Sequence, residues 1–140
     1  MLIQKIKHKY HSHLDNVVKH YYDIYHFDMG KELLSYNNEG DAFKHCYFQA
    51  ELSLWLSPVI AELIGNAHEN RPDNPPGEKA MDLHNNAMGR EIAVRIMNTP
   101  GMWFKPWSKV SDKIAEYIMI YMRAGLLITK PKEESDGTKT

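Results

Sequence analysis

Cysteine occurs once, at Cys46, in a chain of 140 residues. A single thiol excludes an intramolecular disulfide and any zinc site rich in thiolates. No apolar run reaches the roughly 20 residues that a membrane span requires. An excess of one charge is also missing: 17 Lys and Arg stand against 18 Asp and Glu, for a formal net charge of −1. That balance lacks the basic surplus behind non-specific nucleic-acid binding, so no strong nucleic-acid partner is signalled. Lys5, Lys7 and Lys9 lie near the amino terminus, but a polar, His-rich stretch follows them instead of the apolar core of a secretory signal. The expectation is a protein that is cytoplasmic where it is synthesised, with export by a signal-free route left open. There is no His-Glu-x-x-His pair, no nucleotide-binding glycine loop and no Gly-x-Ser-x-Gly elbow. Strand alternation and internal repeats are absent as well.

What is present is helical periodicity. Apolar residues make up 43% and charged residues 25% of the chain, enough for one buried core without staples. Ile3, Ile6, Tyr10, Leu14, Val17, Val18, Tyr21, Ile24 and Tyr25 recur at three- and four-residue steps, predicting one long helix from Leu2 to Tyr25. The histidines scattered beside that face, among them His8, His11 and His13, read as solvated side chains. Asp28 to Asn37 either prolongs this helix or forms a short second one. Asp41 to Leu56 is apolar on nearly every side, the mark of a central helix packed on both flanks. Ser57-Pro58 is a restart signal for a helix to about His68 that buries Ile60, Leu63, Ile64 and Ala67. A proline-rich loop over 71–79 precedes a helix from about Met81 to Asn98. The aromatics Trp103, Phe104 and Trp107 are expected to lid one end of the core. Ser108 or Ser111 would cap a last helix that Gly125 stops. The fold class is all-α: a single-domain bundle of five to six helices around a central buried helix at about 41–56. The domain is expected over 1–129, with its motif core at 40–97 and a disordered polar tail at 130–140.

Three segments set a His beside a carboxylate. At roughly 100° per residue, His45 shares a stripe with Phe48 and Leu52, and Asp41 precedes it by one turn. Such a pair orients an imidazole or binds a metal jointly, whereas Asp41 alone also reads as an N-cap and His45 as a satisfied core histidine. His68 sits at the edge of its helix's apolar face, and Glu69 falls nearer the solvent side with Glu62, although so close to the helix end it can turn either way. Asp82, Asn86 and Gly89 align inward with Ala93 and Ile96, with Asn85 beside them, while His84 projects toward Glu91 and Arg95. Gly89 reads as a close helix–helix contact, since a helical Gly costs about 1 kcal/mol against Ala.

These residues resemble a bacterial helical family. The shared pattern is Asp-Ala-Phe-Lys-His-Cys-Tyr at 41–47, Ala-His-Glu at 67–69, and Met-Asp-Leu-His-Asn-Asn-x-x-Gly-Arg-x-Ile at 81–92. The family occurs alone and at the carboxy termini of large secreted proteins of the polymorphic-toxin type. The resemblance covers Gly40 to Met97 and implies motif roles for Asp41, His45, His68, Glu69, Asp82, His84, Asn85, Asn86, Gly89 and Arg90. It implies a site without naming a reaction. Lys44 stands where the family usually has Arg, which matters if that position grips an anion bidentately, and Phe48 stands where Trp is common.

Two readings follow. In the first, the chain is an effector- or toxin-like hydrolase of a phosphodiester or phospholipid. His45, His68 and Asp82, with His84 as an optional member, would bind a divalent metal such as zinc; a metal-free version would use a His–Asp pair as the base. Glu69 or Asp41 would serve as general base or orienter, and Arg90 would stabilise an anionic transition state. A cognate inhibitor or a host or target protein would be its partner. In the second, the His/Asp/Asn cluster is a structural polar network in a non-catalytic interaction domain.

Overall fold

The computed structural model describes residues 1–133 and is all-helical, with no strand among the described residues. Helix α1 spans Leu2–Tyr25, as its periodicity predicts, and buries Leu14, Val18 and Tyr21. It stops where His26 turns left-handed (φ 54°) and donates its N–H to the Tyr22 carbonyl. The following segment is not a helix. Positive φ at Gly30, Leu33 and Asn37 breaks any helical path between Asp28 and Asn37.

Helix α2 covers Glu39–Trp55 and packs against every other helix of the bundle. Asn38 caps it by accepting the Asp41 N–H at 3.0 Å. Helix α3, Pro58–Glu69, starts as the sequence signals: Ser57 accepts from the Ile60 N–H and Pro58 occupies the first turn. Its inward face differs from expectation. Ala61, Gly65 and Glu69 are buried, whereas Ile60, Leu63 and Ile64 are exposed. Helix α4 runs over Pro76–Met97, earlier than the expected start near Met81, because Pro76 itself fits the first helical turn. A 3₁₀ turn at Met102–Phe104 buries only Met102, so Trp103 and Phe104 do not lid the core. Helix α5, Trp107–Arg123, begins directly after Pro106 without a serine cap and ends before Gly125 (φ 75°). Ser111 is instead buried, bonded to the Tyr21 and Tyr47 hydroxyls at 2.7 Å each.

Helices α2, α3 and α4 approach closely because glycines line their contacts. A Cβ on Gly89 would lie 2.2 Å from the Cys46 carbonyl oxygen, and one on Gly65 would lie 2.7 Å from Gln49 Nε2. Gln49 fills the space left: it donates to the Ala61 carbonyl at 2.9 Å and accepts from Arg90 at 2.8 Å. After α5 the chain returns along α4. Leu127 is buried, and Asn85 pairs with both backbone groups of Ile128, at 2.8 and 2.9 Å. Of the tail expected at 130–140, residues 134–140 lie outside the described residues.

Candidate functional site

The start of α2, the end of α3 and the first half of α4 meet at His45. Its ring is 15% exposed. Nε2 lies 3.5 Å from Asp41 Oδ1 and 3.4 Å from Asp82 Oδ1, while Nδ1 lies 3.2 Å from Asn86 Oδ1 and 3.9 Å from Glu69 Oε2. An amide oxygen only accepts, so Nδ1 carries the proton toward Asn86 and the Nε2 lone pair faces the two aspartates. Fixing one ring nitrogen in this way is how a protein aims the other at a ligand.

Each carboxylate is placed by local backbone. With Asn38 taking the capping role, Asp41 is free to accept the Asn37 N–H with Oδ2, at 2.8 Å, and to turn Oδ1 to His45. Asn37 is held in turn by Glu78, which accepts from its side-chain amide at 2.6 Å and also bonds Tyr36. Glu69, whose place near the helix end leaves either side open, takes the inward one and is fully buried. The loop after α3 folds back, and Asn74 donates to both the Glu69 carbonyl (2.8 Å) and Oε1 (2.9 Å), with Arg71 3.7 Å from Oε1. Glu69 Oε2 and Asp82 Oδ1 are among the few buried side-chain oxygens without a hydrogen-bond partner in the described residues.

Three carboxylates buried around one imidazole repel one another. Burial, reinforced by the charges of Asp41 and Glu69, pushes the Asp82 carboxyl upward from its ordinary value. Burial likewise raises Asp41. Burial lowers His45 despite the opposing pull of Glu69, leaving a neutral ring. Asp41, His45 and Asp82 offer one ligand atom each, all within 4.8 Å of one another, so one ion can be shared among them.

His68 stands at the rim, about half exposed, with Nε2 4.0 Å from Glu69 Oε2 and its ring centroid 6.4 Å from that of His11. It is not in the three-residue ligand set. Burial pushes its pKa below the ordinary value, although Glu69 opposes the shift. His84 is turned away, with Nε2 2.7 Å from the Leu126 carbonyl. Asn85 is also occupied with the returning chain, and Gly89 is the α2–α4 contact. Arg90 is held between Gln49 and Glu62, the latter at 3.4 Å. Lys44 reaches across to Asp15 on α1 at 3.1 Å. Of the residues selected from sequence, Asp41, His45, Glu69, Asp82 and Asn86 therefore converge, with His68 beside them.

Sequence reasoning passed over Arg71, Asn74 and Glu78, whose contribution depends on loop paths that periodicity does not describe. It also passed over Glu51, a fully buried carboxylate bonded to Tyr10 at 3.0 Å and His13 at 3.0 and 3.1 Å. One signal was available: Glu51 lies among the apolar residues Ala50, Leu52 and Leu54 in the second half of α2.

Fold and cluster together define an all-helical domain built around a buried Asp-His-Asp centre. The family called Domain of unknown function (DUF6973) matches residues 12–119, and the chain belongs to it. No solved structure matches the chain. No helix among the described residues is long and apolar enough to cross a membrane.

Proposed function

We propose that this domain is a hydrolase that holds a divalent cation, such as zinc, between Asp41, His45 and Asp82 and cleaves a phosphate ester of the phosphodiester or phospholipid kind. The observation that carries this reading is the unsatisfied donor set: three ligand atoms within 4.8 Å of one another, and two buried carboxylate oxygens, on Asp82 and Glu69, with no hydrogen-bond partner. Such oxygens are costly to bury unless a proton or a cation neutralises them, and the raised Asp82 carboxyl marks a position where a cation can replace the proton. When bound, a divalent ion supplies charge neutralisation and lowers the pKa of water beside it.

The chain's own residues take the remaining roles. Asn86 holds the His45 tautomer through Nδ1. Glu69, gripped through Oε1 by Asn74, presents Oε2 as general base. His68 at the rim passes the proton to or from solvent, and Arg71, 3.5 Å from His68 Nε2, meets the anionic ester in the role first considered for Arg90. The likeness to domains at the ends of polymorphic-toxin-type proteins supports an effector role, with a cognate inhibitor or a target-cell protein as partner.

The alternative, a purely structural network, has its own support in Gln49 and Asn85, which are fully buried and bonded through both amide atoms. A hydrolysis assay separates the two readings. With bis(p-nitrophenyl) phosphate as probe, wild-type protein is expected to turn over with added zinc or manganese and to stop with chelator. His45→Ala is expected to lose that activity while still melting cooperatively. A His45→Ala protein that cannot fold, together with a wild type inactive under every metal, would favour the structural network.

A further inference from the structure

Helix α3 presents an apolar outer face that no other part of the described chain covers. Val59 is 71% and Leu63 64% exposed, and Ile60 and Ile64 lie beside them. The face continues over Trp55 and Leu56 at the end of α2 and reaches Val94 on α4 across a shallow groove of about 240 Å³. At the same end of the bundle, Trp107 packs on Trp55 with ring centroids 5.3 Å apart. The turn leading to Trp107 holds Trp103 at 80% and Phe104 at 92% exposure, the latter almost as open as in an extended chain. Large apolar side chains that cluster in this way mark a binding surface, whereas isolated ones would need no explanation.

We propose that this face docks on an anionic phospholipid bilayer. Charge favours that occupant. No Asp or Glu occurs between Glu91 and Asp112, whereas Lys105 and Lys109 do, besides Arg95, whose charge is offset by Glu91. The two carboxylates beside the face are neutralised locally, Glu62 by Arg90 at 3.4 Å and Glu91 by Arg95 at 3.5 Å. Aromatic rings with adjacent lysines are the side chains that settle at headgroup level, ring in the acyl boundary and ammonium toward lipid phosphate. Shape agrees. The Trp103-Phe104 pair projects from a tight turn between Gly101, in the left-handed conformation, and Pro106, as a wedge entering a soft interface does. Docking is independent of any chemistry at His45, although the helix that docks ends in His68 and Glu69 at the candidate site.

The test uses the full chain and extruded vesicles of phosphatidylcholine, alone or with about one-quarter phosphatidylglycerol. All three tryptophans, Trp55, Trp103 and Trp107, belong to this end of the molecule, so intrinsic fluorescence reports docking directly. The protein is expected to co-sediment with the anionic vesicles and to blue-shift its emission, with binding weakened by added salt. Trp103→Ser combined with Phe104→Ser is expected to weaken that binding about tenfold or more. Leu63→Gln should weaken it as well, and both proteins should keep the wild-type melting curve because these side chains are exposed. Absence of binding to anionic vesicles would overturn the proposal. So would unchanged binding by the variants, or a wild-type dimer that the same substitutions dissociate while vesicles remain unbound.

Discussion

His45 is committed on one side and open on the other. Its Nδ1 side faces Asn86 at 3.2 Å, and Nε2 looks into the gap between Asp41 and Asp82. Asn86 thus touches no candidate ligand position, yet it decides which ring nitrogen carries the lone pair. Asn86→Leu removes that acceptor and is expected to weaken cation affinity about 10–100-fold, measured by calorimetric titration. A residue that only filled space would leave affinity unchanged when replaced by a side chain of similar volume. Much of this pairing was legible in the sequence, because Asp41 and His45 are one turn apart and Asp82 and Asn86 repeat that spacing on α4. Glu69 was not legible. Its burial follows from Asn74, five residues later in a proline-rich loop whose path no helical period records.

Element by element, the pattern of small residues governs this bundle more than the pattern of large ones. Gly65 and Gly89 allow α3 and α4 to close on α2. Helix α3 reads as an ordinary amphipathic helix if Ile60, Leu63 and Ile64 are assumed to face inward, and that assumption fails because Ala61 and Gly65 take the inward face. Hydrophobic periodicity finds a helix correctly and still assigns the wrong side to the core when another surface uses the apolar stripe. Helix α1 was readable because its middle carries the core contacts: Leu14, Val18 and Tyr21 face inward, although Ile6 and Ile24 nearer its ends are exposed. Gly89→Ala tests the close approach. The added Cβ would sit 2.2 Å from the Cys46 carbonyl, a backbone atom that cannot rotate away. Overpacking of this kind costs about 1–3 kcal/mol and outweighs the propensity gain of about 1 kcal/mol from Ala in a helix. Denaturant unfolding is expected to show that net loss, and a stabilised variant would mean that α2 and α4 are less tightly apposed.

For the whole molecule, the telling contrast lies between two buried polar regions. Around Gln49, Asn85 and the Tyr21–Ser111–Tyr47 group, polar side chains find their partners. Around His45, carboxylates crowd one another and two oxygens are left without partners. Regions that carry function commonly retain such tension, and relieving it commonly stabilises a protein while removing its activity. Asp82→Asn keeps the shape of the side chain and removes the carboxyl, already pushed up to about 8, that would have to ionise to hold a cation. The most direct measurement is isothermal titration of zinc or manganese into cation-free wild-type and Asp82→Asn proteins, with a thermal melt of each before titration. The account predicts one cation per wild-type chain, binding lost in Asp82→Asn, and a cation-free variant that melts no lower than the wild type. Equal binding by the two proteins, no binding by the wild type, or a variant that melts well below it would contradict the account.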